Sequence, residues 1–334
     1  MGNANSIQTL FLEEVRKSLP SNRSFVDELA EALSISKDSA YRRIRGETVL
    51  SLDEAKKLCD YSGVSIDTLF SPTSKTVPFI DHAAGANLTL EQWLNSILKS
   101  LSAITDIIYA ARDIPIFHLF RKPELAAFKL FFWQKTVMSN PAFLKQAFDP
   151  DAVPKEMLLL GERIWRKYTT IPSIEIWGAE AAHNTLKQIQ FYEDCGFFAQ
   201  RSQASRLCDE LVDLLATIQA EASDARKTDG STFNLYHNEV LTTDNLVFTR
   251  TRDGQLTFIN YNGTGLLATR HNGFCDNTHQ YLISLIKHST LISGTAEKER
   301  IKLFSRMTRS LTDFRATVPA QPLSARVSHD GRAT

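Results

Sequence analysis

Along the first seventy residues, apolar positions recur at helical spacing and are broken into short runs. Ile7, Leu10, Phe11, Val15 and Leu19 make one stripe, which stops at Pro20. Ser24, with Asp27 three residues on, opens a second helix that turns Phe25, Leu29, Ala32 and Leu33 inward. Ser36 is placed to cap a third helix. Ser51 and Glu54 have capping-box spacing ahead of Leu52, Ala55, Leu58 and Cys59, and Ser65 can cap a last helix ending near Phe70. The pattern predicts five small helices over residues 6–70.

Pro72, Pro78 and Gly85 mark residues 71–88 as a linker. Thr89 then caps a run in which Trp93, Ile97, Leu98, Leu101, Ile104 and Ile108 predict one long helix, and further helical stretches follow around residues 123–138, 154–168, 179–195 and 202–222. The texture changes after Gly230. Phe233–Leu241, Leu246–Arg250 and Leu256–Ile259 read as strands, with a hairpin turn at Asp253-Gly254, followed by helices over Asn277–Leu291 and Thr295–Phe314. Residues 316–334, with Pro319 and Pro322 and no periodicity, read as a disordered tail. The expected fold class is mainly α. It comprises an N-terminal five-helix domain (residues 6–70), a helical middle region (89–230) for oligomerisation or effector binding, and a small C-terminal α+β unit (231–315).

Composition narrows this picture only slightly. With 43% hydrophobic and 23% charged residues, the 334-residue chain is neither disordered nor fibrous. The longest stretch without Asp, Glu, Lys or Arg, Gly254–Thr269, is mostly polar, so no membrane span is expected. Cys59, Cys195, Cys208 and Cys275 are widely spaced and form no C-x-x-C pair, a reduced pattern that points to the cytoplasm. Lys plus Arg and Asp plus Glu both number 38, so charge informs only locally. Lys37, Arg42, Arg43 and Arg45 stand against the single acid Asp38 within the third helix, a concentration of positive charge suited to a groove of duplex DNA.

In that helix Ala40 and Ile44, four apart, anchor to the core, while Tyr41, Arg42 and Arg45 point away. The run Ser34-Ile35-Ser36-Lys37-Asp38-Ser39-Ala40-Tyr41-Arg42-Arg43-Ile44-Arg45-Gly46, followed by Leu50-Ser51-Leu52-Asp53-Glu54-Ala55 and Gly63-Val64-Ser65-Ile66-Asp67-Thr68-Leu69-Phe70, resembles the lambda-repressor/Cro-type (XRE-like) helix-turn-helix. It departs from that pattern at Ser34, where a turn glycine is usual, and at Arg43, where a buried aromatic or aliphatic is common. The resemblance implies that Lys37, Asp38, Tyr41 and Arg42 read base edges, with Ser36 and Ser39 on phosphate. Arg42 is matched to guanine, Asp38 accepts from a cytosine amine or orients Lys37, and Arg45 contacts phosphate. It further implies a bacterial transcription regulator acting on double-stranded DNA as a homodimer, with a body that dimerises, senses a small-molecule or peptide effector, or both. The alternative is a scaffold or partner-controlled regulator whose head binds protein. An enzyme is not expected, since no catalytic constellation stands out.

Two further spacings are set aside. His271, Cys275 and His279 are soft-metal ligand types at helical intervals, but Gly273 breaks the helix between them and Asp276-Asn277 reads as its cap, so no metal is expected. Gly263-Thr264-Gly265-Leu266-Leu267-Ala268 nominally fits a dinucleotide fingerprint but lacks the following helix. It reads as a hairpin, and no cofactor is expected. Phe131, Phe132, Trp133, Trp165, Trp177, Phe197 and Phe198 read as core, with a few left to line a ligand cavity.

Overall fold

The computed structural model describes residues 6–19, 24–66, 77–82, 89–200, 202–240 and 244–318. The chain divides into two compact units, Met1–Pro78 and Phe79–Thr334.

The described residues of the first unit hold four helices: α1 (Ile7–Ser18), α2 (Phe25–Leu33), α3 (Lys37–Ile44) and α4 (Leu52–Ser62). Of the expected caps, Ser36 and Ser51 act as their chemistry requires, while Ser24 occupies the N-cap of α2 without a side-chain capping hydrogen bond. Ser6, Ser36 and Ser51 each accept a hydrogen bond from the backbone N–H three residues on, and Ser51 with Glu54 completes a capping box. Phe11, Leu12, Val15, Leu29, Leu33, Ala40, Ala55 and Leu58 form the core, with Ile44 packed against it. The helix expected from Ser65 to Phe70 lies mostly outside the described residues.

The second unit is built on one eight-stranded mixed sheet in the order β1-β7-β6-β5-β2-β3-β4-β8. Its strands are β1 (Ile80–Asp81), β2 (Ile104–Ala111), β3 (Ser173–Trp177), β4 (Phe233–His237), β5 (Leu246–Thr251), β6 (Gly254–Asn262), β7 (Gly265–Thr269) and β8 (Thr290–Leu291). Strands β2, β3 and β4 are parallel, and every other pairing is antiparallel. The crossover from β2 to β3 carries α6 (Ile116–Leu119), α7 (Pro123–Phe132), α8 (Pro141–Leu144) and α9 (Lys155–Thr169). That from β3 to β4 carries α10 (His183–Asp194) and α11 (Ser202–Asp224). Helix α5 (Leu90–Ala103) precedes β2, α12 (Asn272–Lys287) links β7 to β8, and α13 (Glu297–Thr317) follows.

Period-two alternation divides the central strand between two cores. Ile107, Tyr109 and Ala111 of β2 join the large cluster that includes residues of α5, α7, α9, α10, α11 and α13, while Ile108 and Ala110 meet Cys275 and Leu282 of α12 on the other face.

The mainly α fold class, with its small C-terminal α+β unit, is therefore corrected. Strands from the supposedly helical middle region lie at the centre of the same sheet as the strands after residue 230, so residues 89–315 do not divide into a helical region and a small α+β unit. Two segments misled the periodicity. Ile104 and Ile108 prolong the stripe of α5 by coincidence, but the run Ile104-Thr105-Asp106-Ile107-Ile108 is rich in β-branched residues. It is buried between β3 and β5, and the helix ends at Ala103. Strand β3, Ser-Ile-Glu-Ile-Trp, is short and carries a charge inside, so it did not register as a strand. Helix α12 also begins five residues earlier than expected. Gly273 lies within it, and His271, not Asp276-Asn277, is its cap, accepting from Phe274 N.

Candidate nucleic-acid interface

Helices α2 and α3 are joined by a tight turn whose pivot is Ser34, in the left-handed conformation (φ 55°, ψ 47°) that glycine adopts more cheaply. Its N–H donates to Glu31 O, and that of Ile35 to Ala30 O. The chain reverses within three residues and enters α3 through the cap at Ser36. Ala40 is fully buried and Ile44 packs on the core, which fixes the roll of α3 about its axis.

That roll leaves most of the expected site residues on the outer surface. The side chains of Lys37, Asp38, Arg42 and Arg45 are 70%, 79%, 61% and 67% exposed, Tyr41 and Ser36 are exposed, and Ser39 is half-buried behind the cap. Arg43 turns back. It donates from Nε and Nη2 to the two carboxylate oxygens of Glu54 at 3.2 and 2.6 Å, and from Nη1 to Ser39 O at 3.2 Å. This explains an arginine where an apolar residue is usual. A two-point pair to the capping-box glutamate ties α3 to the start of α4, and the Arg43 hydrogen bonds hold the Glu54 carboxyl below its ordinary range. Gln8 of α1 completes the tie. Its amide donates to Arg43 O and Thr48 O at 2.9 and 2.8 Å and accepts from Leu50 N at 2.9 Å. No sequence signal marked Gln8, because its three partners lie 35 to 42 residues away.

The cations of α3 are not bare. Lys37 pairs with Asp27 of α2 at 2.8 Å, which raises the lysine pKa, Arg42 pairs with Asp38 at 3.3 Å, and Arg45 lies 3.7 Å from Glu47 and over the Tyr41 ring. With Glu54 on Arg43, four cations face four carboxylates, so the positive excess counted along α3 is offset in space by acids from α2, from the turn after α3 and from α4. Asp38 orients Arg42, and the partner of Lys37 is Asp27. Apart from Arg43–Glu54 these are solvent-exposed pairs, each worth roughly 0–1 kcal/mol and open to exchange with another anion.

The second unit holds a polar cluster that sequence reasoning did not find. Glu175 of β3 is fully buried and accepts from Tyr168 Oη, from Trp177 Nε1 at 2.8 Å and from His118 Nε2 at 3.0 Å. Lys227 lies 3.7 Å above the Tyr168 ring and donates to Tyr168 O and Ile171 O at 3.1 and 2.5 Å. Burial alone would push the Glu175 carboxyl up, but His118, Tyr168 and Lys227 outweigh it and hold it below its usual value. Burial drives Lys227 down to about 7 against the pull of Glu175 and Glu221. None of these five side chains lines the large cavity of the second unit, so the cluster braces the sheet rather than meeting solvent.

His271, Cys275 and His279 are each engaged elsewhere. His271 caps α12, Cys275 is buried against Thr257 and Thr269 O, and His279 contacts Arg250 and lies tilted against the Phe248 ring. Among the described residues no cluster of three or more His, Cys, Asp or Glu side chains could hold a metal ion, and no helix is long and apolar enough to cross a membrane. Gly263 turns the β6–β7 hairpin at φ 64°. No protein-family model, curated protein or solved structure matches the chain.

Proposed function

We propose that the first unit binds double-stranded DNA with sequence preference, α3 entering the major groove, and that the protein regulates transcription as a homodimer. The observation that carries this reading is the presentation of α3. One short helix, set by a left-handed turn and clamped by Gln8 and Arg43, turns Lys37, Asp38, Tyr41, Arg42 and Arg45 outward together. Arg42 carries the planar fork that matches guanine O6 and N7, and Asp38 holds it extended along the helix. Ser36 and Ser39 lie at the N-terminus of α3, where backbone N–H groups favour a phosphate. On binding, Lys37 exchanges Asp27 for a base edge, and a phosphate displaces Glu47 from Arg45.

The balance of four carboxylates against four cations on α3 favours a second reading, in which the head docks on a protein. Selection of bound sequences from random duplex DNA with the full chain separates the two. A recovered two-fold symmetric consensus, with affinity falling steeply as salt rises, supports DNA readout. Recovery of no consensus, with salt-independent retention, supports the protein partner.

A further inference from the structure

The second unit holds a partly open cavity of about 1200 Å³ that reaches the carboxyl ends of the parallel strands. Arg112, Asp113 and Ile114 follow β2 into its wall, Gly178, Ala179 and Glu180 follow β3, and Glu239 follows β4. Strand order reverses beside β2, since β3 and β4 continue to one side and β5, β6 and β7 to the other. Crevices at such a reversal, at the carboxyl ends of parallel strands, are where open α/β sheets hold ligands. The volume exceeds what one small polar metabolite fills.

Its lining combines two chemistries. Trp93, Ile97, Phe117, Phe132, Trp133 and Phe258 supply apolar and aromatic surface. Trp133 and Val137, at either end of a π-helical turn that interrupts the helix after Phe132, both face this space, and such turns are frequent at functional sites. Of the aromatics singled out in the sequence, Phe132 and Trp133 line the cavity. The rim charges are largely satisfied within the protein: Arg112 by Asp244 at 2.6 Å, Arg306 by Glu180 at 3.1 Å and Asp113 by Asn184 at 3.0 Å.

Lys129 differs from them. It lines the cavity at 7% exposure, and its ammonium donates at 2.6 Å to the side-chain oxygen of Gln188, with no carboxylate of the described residues within ion-pair distance. An ammonium has three donors, and a buried cation without a counterion is costly. Burial lowers its pKa to about 8, against the opposing pull of Asp113. The Gln188 side-chain nitrogen, beside it, supplies a second donor. In the same lining the buried Trp93 Nε1 has no acceptor among the described residues.

We propose that this cavity binds an organic acid with an extended apolar body, its carboxylate seated on Lys129 and Gln188 and its hydrocarbon part against Phe132, Trp133 and Phe258. The ligand completes the ion pair that the fold leaves open and covers aromatic surface in one act. The assignment stands independently of what α3 binds.

Calorimetric titration of the full-length protein with decanoate, 1-decanol and decylammonium, matched in length, tests it. Decanoate is expected to bind with a stoichiometry of one and at least ~10-fold more tightly than the alcohol or the ammonium, a preference set by one buried charge-assisted contact. Lys129→Met should erase that preference while leaving decanol affinity unchanged, and Gln188→Met should reduce it while leaving the buried ammonium in place. Equal affinity for acid and alcohol, preference for the ammonium, absence of binding by all three, a preference that survives Lys129→Met, or one undiminished by Gln188→Met would overturn the proposal.

Discussion

Helix α3 and strand β3 both carry charged side chains on short, well-anchored elements, and they spend them in opposite ways. On α3 the ion pairs lie in water, where each contributes little to stability and can be traded for an outside partner. On β3 the single carboxylate of Glu175 is sealed from solvent and has three donors directed at it. Its contacts cannot be traded, only lost. Charge on the first element is therefore available for recognition, and charge on the second is committed to the fold. Substitutions should separate the two cleanly.

The largest effect is expected at Glu175. Glu175→Gln replaces an acceptor of three hydrogen bonds with a group that turns its own N–H donors toward donors. It should cost about 3–5 kcal/mol, the range for breaking a buried charged network. All four tryptophans, Trp93, Trp133, Trp165 and Trp177, lie in the second unit, so denaturant unfolding followed by their emission reports that unit. A loss below about 1 kcal/mol would mean that the cluster is not under load.

The same burial predicts an unusual pH dependence. Lys227 and Lys129 titrate near 7 and 8 in the fold but near their ordinary 10.5 when unfolded. Between pH 7 and 9 the unfolded chain binds more protons than the folded one, so stability of the second unit should rise through this window, by about 3–4 kcal/mol. Above about pH 9 the gain should reverse, because burial raises the Cys208 thiol to about 12 and pushes the Tyr168 phenol up, so both ionise more readily in the unfolded chain. The midpoint of chemical unfolding at pH 7, 8 and 9 checks the sign, and a flat or falling series would contradict the burial of these lysines.

In the first unit the effects should be smaller. Gln8→Ala removes three hydrogen bonds that join α1 to the end of α3 and the segment after it, at about 1–2 kcal/mol, read as faster amide exchange in α3 and α4. Ser34→Gly relieves a left-handed residue and should stabilise the unit by about 0.5–1 kcal/mol in the same assay. A destabilised Ser34→Gly variant would show that the turn is held by something other than its backbone conformation.

These two regions also differ in how much of them could be seen in the sequence. The caps at Ser36 and Ser51, the Ala40 and Ile44 anchor and the outward face of α3 are local facts, set by residues three or four apart, and were legible in the sequence. What escaped was long-range. Asp27, Glu47 and Glu54 neutralise α3 from other segments, so a count along one helix overstated its charge. The second unit was misjudged as a fold because its signals compete. Ile104 and Ile108 fit a helical stripe and a buried strand equally, and only pairing with β3 and β5 decides between them. Lys129 carries no motif at all. Its character comes from Gln188, 59 residues away, and from the absence of a carboxylate beside it among the described residues.

The most direct test of the account returns to α3 and compares Arg42→Ala with Arg45→Ala in the full-length protein. Both side chains are exposed, so neither change should move stability by more than about 0.5 kcal/mol. Binding to the duplex selected by the native protein should then diverge. Arg42→Ala is expected to lose about 1–3 kcal/mol and to relax preference at a single base pair. Arg45→Ala should weaken all duplexes alike and flatten the salt slope by about one. Equal losses from both variants that ignore sequence, or no loss from either, would contradict the claim that α3 reads DNA.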